Sequence, residues 1–126
     1  MAAPRIFIVE DNPTIRDSLI PTLEDLTDAE IVGLAEGEDE AVRWMQSHSD
    51  GWDLAIVDLF LRQGSGLGVL RRVRNGGARQ RMVVLTNYAT ADMRRRCSDA
   101  GADRVFDKSN DLDAFFDYCN AQGPVR

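Results

Sequence analysis

Asp53-Leu54-Ala55-Ile56-Val57-Asp58-Leu59 is a short, almost unbroken apolar run that ends in one carboxylate. A run of this length without polar alternation suits a strand buried on both faces of a parallel sheet. Asp58 then stands where the strand leaves the sheet, at its carboxyl end. Open α/β sheets bind their ligands at that edge. The reading of the remaining chain turns on what gathers around Asp58.

Upstream, Arg5-Ile6-Phe7-Ile8-Val9 is a second compact apolar run, and it stops abruptly at Glu10-Asp11-Asn12-Pro13. Asp11 or Asn12 can cap the next helix, with Pro13 in its first turn. Capping leaves Glu10 without an assignment. Ile15, Leu19, Leu23 and Leu26 recur at helical spacing and predict the buried stripe of helix one, with a kink at Pro21. Glu30 to Ala35 reads as a second strand. Ala41, Val42, Trp44 and Met45 give helix two its apolar side, and His48 falls in its last turn as a solvated helix-end residue.

Downstream of Asp58, Leu61-Arg62-Gln63-Gly64-Ser65-Gly66 is a glycine-rich loop. Its glycines match neither GxxxxGK[ST] nor GxGxxG, so no nucleotide-binding loop is indicated. Leu67, Val69, Leu70 and Val73 pattern helix three, with Arg71, Arg72 and Arg74 outward and Asn75-Gly76-Gly77 at its end. Met82-Val83-Val84-Leu85 runs into Thr86-Asn87. Helix four spans Thr90 to Ala100 and is closed by Gly101; its Arg94-Arg95-Arg96 spread around the helix as a solvated or partner-binding surface. Arg104-Val105-Phe106-Asp107 is a brief fifth strand that ends in Lys108. Ser109-Asn110-Asp111 offers an N-terminal cap for helix five, which buries Leu112, Phe115, Phe116 and Cys119 or a subset of them.

Five strand–helix units in strict alternation predict an α/β fold: a doubly wound, five-stranded parallel sheet with helices on both faces. The common flavodoxin-like order is 2-1-3-4-5, with its switch point between strands one and three. At 126 residues the chain reads as one domain, 1–126, with its core at about 5–121. A net charge of −6 and the lack of a longer Lys/Arg run argue against direct nucleic-acid binding. No apolar run approaches the roughly 20 residues that span a bilayer. Cys97 and Cys119 sit in helical patterns, far from metal or CxxC spacing, and read as thiols of a cytoplasmic protein.

The polar residues at the strand ends now fall together. Strand one ends in Glu10 and Asp11, strand three in Asp58, strand four in Thr86 and strand five in Lys108. In the 2-1-3-4-5 order, strands one and three are neighbours, so three carboxylates converge at the switch point. They repel one another unless a cation joins them, and a few hard oxygen ligands suit Mg²⁺. Lys108 brings positive charge to the other side of Asp58, and Thr86 brings a hydroxyl. An acid so placed is prepared to attack phosphorus.

These residues, in this order and spacing, resemble the receiver domain of two-component response regulators in its single-domain form. The resemblance covers nearly the whole chain. It rests on Ile8-Val9-Glu10-Asp11-Asn12, on Val57-Asp58-Leu59 with Gly66 eight positions on, on Thr86, on Gly101-Ala102-Asp103 and on Lys108. It implies that Asp58 is the phosphoacceptor. Glu10, Asp11, Asp58 and the Phe60 backbone carbonyl would hold Mg²⁺, and Thr86 and Lys108 would contact the phosphoryl group. The implied donor is a phosphohistidine on a sensor histidine kinase or phosphotransfer protein. The implied output is a downstream protein target or a homodimer through the helix 4–strand 5–helix 5 face. The only chemistry implied is self-directed phosphoryl transfer and autodephosphorylation.

The chain also departs from the family pattern. Ser109 stands where many receivers have proline, and Val105 where many have an aromatic ring that rotates on activation. Asn87 is larger than the residue usual after the threonine. Arg62 and Tyr88 occupy the positions that flank the line of water attack in the family. A phosphorylation-independent pseudo-receiver is the alternative reading. An aspartate-nucleophile phosphohydrolase is a third, but such enzymes usually carry a DxD pattern on strand one, and here that strand ends Glu10-Asp11-Asn12.

Overall fold

The computed structural model describes residues 3–73 and 80–121. The expected helix-three terminus at Arg74 to Gly77 and the last five residues lie outside the described residues. The elements alternate as β1 (Arg5–Val9), α1 (Pro13–Leu26), β2 (Glu30–Ala35), α2 (Glu38–Ser47), β3 (Leu54–Val57), α3 (Gly66–Val73), β4 (Arg81–Thr86), α4 (Ala91–Asp99), β5 (Arg104–Asp107) and α5 (Leu112–Ala121). All pairings are parallel, and the strand order is β2-β1-β3-β4-β5. This is the doubly wound, flavodoxin-like sheet that the alternation predicts. Among the described residues no helix is long and apolar enough to cross a membrane.

The strand alternation divides the core in two. Phe7, Val9, Ala55, Val57, Met82 and Val84 face one side, where they meet Val42 and Met45 of α2, Val69 and Leu70 of α3 and Cys97 of α4. Ile6, Ile8, Leu54, Ile56, Val83, Leu85 and Phe106 face the other, against Leu19 and Leu23 of α1 and Phe115 and Cys119 of α5. The two thiols are therefore buried on opposite faces of the sheet, and both are free. Burial pushes Cys119 up to about 12, so it stays a neutral thiol.

Local sequence accounts for most helix boundaries. Asn12 caps α1 by accepting from the N–H groups of Thr14 at 2.9 Å and Ile15 at 3.3 Å, with Pro13 in the first position. The helix continues through Pro21 to Leu26. Leu26, expected in the buried stripe, is 57% exposed. The helix stops there, and Thr27 turns inward instead, its hydroxyl donating to the Leu23 carbonyl and accepting from Ala29 N–H. Gly101, at φ 111°, ends α4 in a backbone conformation that favours glycine.

The start of α5 differs from the expected cap. Asp111 turns its carboxylate back to accept from Asp107 N–H at 2.9 Å and from Arg94 at 3.1 Å. Of the expected apolar residues, Phe115 and Cys119 are buried and Phe116 is half-buried, while Leu112 is 39% exposed.

At the amino edge of the sheet, Asp53 is buried and accepts two hydrogen bonds from the Arg5 guanidinium, both at 3.1 Å, and one from the Arg5 backbone N–H at 2.7 Å. That pair pins β1 to the start of β3. Among the described residues the one register slip in the sheet lies between Ile6 and Phe7, where the β2 partner steps from Ile31 to Gly33. Trp44 of α2 stacks on Phe7 there, with centroids 4.3 Å apart and planes within 5°. A Cβ on Gly33 would stand 2.8 Å from Trp44 and 2.9 Å from Phe7. The expected effect of Gly33→Ala is a loss of about 1–3 kcal/mol through overpacking. Urea unfolding followed by the tryptophan signal measures it, and an unchanged midpoint would show that the stacked pair yields freely.

Candidate functional site

The parallel register builds the site. Val9 pairs with Val57 across β1 and β3, so the residues that follow, Glu10 and Asp58, emerge side by side. Asp58 N–H donates to the Val9 carbonyl at 3.0 Å, and Glu10 N–H to the Ala35 carbonyl at 2.9 Å. Both acids are thus fixed by their own backbones as the strands end. Val57 pairs with Val84, so β4 runs two residues further, to Thr86. Thr86 pairs with Asp107, and Lys108 N–H donates to the Thr86 carbonyl at 2.9 Å.

Glu10, Asp11 and Asp58 each bring one carboxylate oxygen within 4.8 Å of the others. Lys108 Nζ lies 2.9 Å from Glu10 Oε1 and 3.4 Å from Asp58 Oδ2, with all three side chains largely buried. Lys108 therefore joins strands one, three and five and sits closer to Glu10 than to Asp58. Asp11 accepts from the backbone N–H of Arg62 at 2.8 Å, which ties the loop after β3 to β1. Three carboxylates face one ammonium. Burial, followed by the neighbouring charge of Glu10, pushes Asp58 up to about 6, with Lys108 acting in the opposite direction. Surplus negative charge on oxygen donors alone fits a hard divalent cation such as Mg²⁺.

The rim is aromatic. Thr86 is fully buried, and its hydroxyl accepts from Tyr88 N–H at 3.1 Å. The Tyr88 ring meets the Phe60 ring edge-on, with centroids 4.8 Å apart, although both residues are more than half exposed. The sequence reading has Arg62 and Tyr88 flank the line of water attack and set the lifetime of an aspartyl-phosphate. In the structure the Tyr88 ring meets the Phe60 side chain, and Arg62 is exposed with its backbone N–H on Asp11. The missed signal was a symmetry of spacing: Phe60 and Tyr88 each lie two residues beyond a site residue, Asp58 and Thr86.

The loop after Asp58 is held from below. Phe60 and Ser65 form an isolated antiparallel bridge. Glu38, the first residue of α2, donates its N–H to the Gln63 carbonyl and accepts from Ser65 N–H, both at 2.9 Å, and its carboxylate also takes Arg72 at 3.0 Å. Gln63 in return accepts from Asp39 N–H at 2.9 Å and so caps α2, whose own Gly37 has no side chain to do so. Gly66 is required by contact: a Cβ there would stand 2.2 Å from the Asp58 carbonyl. His48, by contrast, ends α2 with its ring on Trp44 and plays no part in this edge.

The family model for the response regulator receiver domain matches residues 6–120. The transcriptional regulatory protein PhoP of Escherichia coli is 33% identical over 79% of this chain and 43% of its own length. The chain spans about half the length, or less, of the curated relatives it matches. A LuxR-family DNA-binding response regulator from Staphylococcus aureus superposes with a TM-score of 0.82 at 16% identity, over 93% of this chain and 96% of that one. The receiver domain of the Pseudomonas aeruginosa sensor histidine kinase PA1611, solved with a magnesium ion in its active-site cleft, superposes with a TM-score of 0.73 at 25% identity over 93% and 97%.

The displaced titration of Asp58 has a stability consequence. Its ordinary value is 3.8 and its folded value about 6, so the folded chain holds the extra proton between these limits. Stability from this group is therefore lost as pH rises from about 4 to 6. Without metal at pH 7.5, Asp58→Asn is expected to stabilise the fold by on the order of 1–2 kcal/mol, and the gain should vanish near pH 4. Thermal unfolding of both proteins from pH 4 to 8 measures it. A gain that persists at pH 4 would assign the effect to something other than charge.

Proposed function

Because the chain belongs to the receiver-domain family of two-component response regulators, we propose that it takes a phosphoryl group from a phosphohistidine donor onto Asp58. The observation that carries this reading is the grouping of the Glu10, Asp11 and Asp58 carboxylates at the β1/β3 switch point, with the Lys108 ammonium on Glu10 and Asp58. In transfer, an ionised Asp58 oxygen attacks phosphorus, the P–N bond to the donor imidazole breaks, and the freed imidazole takes up a proton. Asp58 must be ionised to attack, which holds above about pH 6 in the metal-free chain.

Lys108 then turns from Glu10 and Asp58 toward the arriving phosphoryl oxygens. Thr86 is prepared as a donor. Its oxygen already accepts from Tyr88 N–H, so its own proton is directed elsewhere, toward a phosphoryl oxygen. Glu10, Asp11, Asp58 and the Phe60 carbonyl are the groups that would hold Mg²⁺. The ion, when bound, offsets the negative charge that accumulates as phosphate meets carboxylate. Hydrolysis reverses the gain: water attacks phosphorus, the acyl phosphate P–O bond breaks, and inorganic phosphate leaves a free Asp58 carboxylate. The Phe60–Tyr88 pair covers the approach to that phosphorus and limits water access.

Receiver domains are signalling domains, and this one acts through the arrangement of its own surface. Phosphorylation adds about −1.5 to −2 charges at Asp58. The receiving partners are a sensor kinase or phosphotransfer protein upstream and a protein target downstream, met in the cytoplasm, where Cys97 and Cys119 remain reduced.

Intact mass after incubation with acetyl phosphate and Mg²⁺ tests the assignment. One added phosphate on the wild type and none on Asp58→Ala is the expected result. No addition to the wild type would favour a module that binds partners without phosphorylation. The decay of the phosphorylated form tests the rim: Phe60→Ala and Tyr88→Ala should each shorten its lifetime several-fold, while Arg62→Ala should change it little. Equal lifetimes in all four proteins would sink the role of the aromatic pair.

A further inference from the structure

Val105 has no ring to rotate, so a site change at Asp58 needs another connection to the surface formed by α4, β5 and α5. The observations converge on Arg94. Its guanidinium spans three separate elements. Nε donates to the Ala89 carbonyl at 3.0 Å, Nη1 to the Val105 carbonyl at 2.9 Å, and Nη2 to Asp111 Oδ2 at 3.1 Å. Ala89 belongs to the loop that begins with Thr86 and carries Tyr88, Val105 lies in β5, and Asp111 immediately precedes α5.

The neighbours of Arg94 are already committed elsewhere. Arg95 and Arg96 both pair with Asp92 on the same helix, at 3.4 Å and 3.0 Å. Asp111 is anchored independently by Asp107 N–H, and that hydrogen bond together with Arg94 holds its carboxyl below the usual range. Asp107 in turn accepts from Ser109 N–H at 2.7 Å, one residue after Lys108. A continuous line of hydrogen bonds thus leads from the segment beside Lys108, through Asp107, Asp111 and Arg94, to the far end of the Thr86 loop.

We propose that Arg94 is a positioning residue that holds the Thr86–Ala89 loop in its resting arrangement and couples that loop to the β5–α5 surface. The inference rests on Asp58 as the acceptor site. The Thr86 hydroxyl is bound at one end of the loop by Tyr88 N–H, and the Ala89 carbonyl is bound at the other by Arg94. A pull on Thr86 from a phosphoryl oxygen is transmitted along a four-residue segment to Ala89 and loosens the guanidinium from its acceptors. Arg94 and Asp111 are then released to solvent on one surface. Coupling of this kind is reciprocal. Whatever draws Arg94 away from Ala89, such as a carboxylate on a partner, strengthens binding at Asp58 by the same factor.

Beryllofluoride with Mg²⁺ serves as the phosphoryl mimic, followed by backbone amide signals in the intact chain. Arg94→Ala is expected to lower the half-saturating concentration about fivefold or more and to uncouple the Val105 and Asp111 amides from the site. Arg94→Lys keeps the charge but cannot reach three acceptors, and should fall between. Arg95→Ala, a surface arginine of the same helix, should behave as wild type. Equal half-saturation in Arg94→Ala and wild type, weaker binding in Arg94→Ala, or an equal effect from Arg95→Ala overturns the proposal. If Arg94→Ala does not fold, the lysine variant decides by the same criteria. A wild-type chain that fails to take up beryllofluoride overturns the Asp58 reading and this one together; a wild type that binds beside an unaltered Arg94→Ala overturns only the latter.

Discussion

The surplus of negative charge where β1 and β3 leave the sheet is the constraint on which the rest of the structure depends. Glu10 and Asp58 are placed side by side by backbone hydrogen bonds, so their main chains cannot move apart to relieve the repulsion. Two means of tolerating it are present. One is Lys108, delivered from β5 by a 98-residue separation in sequence. The other is a raised affinity of Asp58 for a positive partner, first a proton. The same surplus of charge on oxygen donors suits a hard divalent cation.

Parallel strands could be read because each is an apolar run with a charged or hydroxyl residue at its carboxyl end. Crossover handedness gave a doubly wound sheet, the common five-stranded order of such sheets gave 2-1-3-4-5, and from that order followed the company of Glu10, Asp11, Asp58, Thr86 and Lys108. The residues that were not legible are those whose role depends on direction rather than type. Leu26 has the right spacing for the buried stripe but lies at the helix end, where Thr27 takes the inward position. Asp111 has the right chemistry for a cap but faces a stronger offer from Asp107 N–H and Arg94. Phe60 entered as a backbone carbonyl, and its ring became visible only beside Tyr88. Arg94 could not be separated from Arg95 and Arg96 by sequence, since only the rotation of α4 selects which of three arginines faces the loop.

The two apolar layers divide the labour. α1 and α5 cover the face that carries Phe106 and Phe115, which pack edge-on at 5.5 Å. α2, α3 and α4 cover the face of Phe7, Val57 and Val84. Phe106 is buried against α5, while Val105 faces the α4 side and offers its carbonyl to Arg94. The ring that β5 does possess is thus committed to the core. Its surface connection is made by a guanidinium, which can exchange acceptors without repacking any apolar group.

The clamp beneath the loop after Asp58 limits how this sequence can change over time. The Glu38 carboxylate occupies the space beside both Gly64 and Gly68: a Cβ on either would stand 2.3 Å and 2.1 Å, respectively, from atoms of that one side chain. Gly64 also has a positive φ of 73°, so it is constrained by backbone as well as by space, whereas at Gly68 the nearest atoms all belong to Glu38. Positions 38 and 68 therefore share one volume. A larger residue at 68 must displace the Glu38 carboxylate, and with it the bonds to Ser65 and Arg72 that hold the loop. Glu38 thus restricts which routes remain open for remodelling the loop.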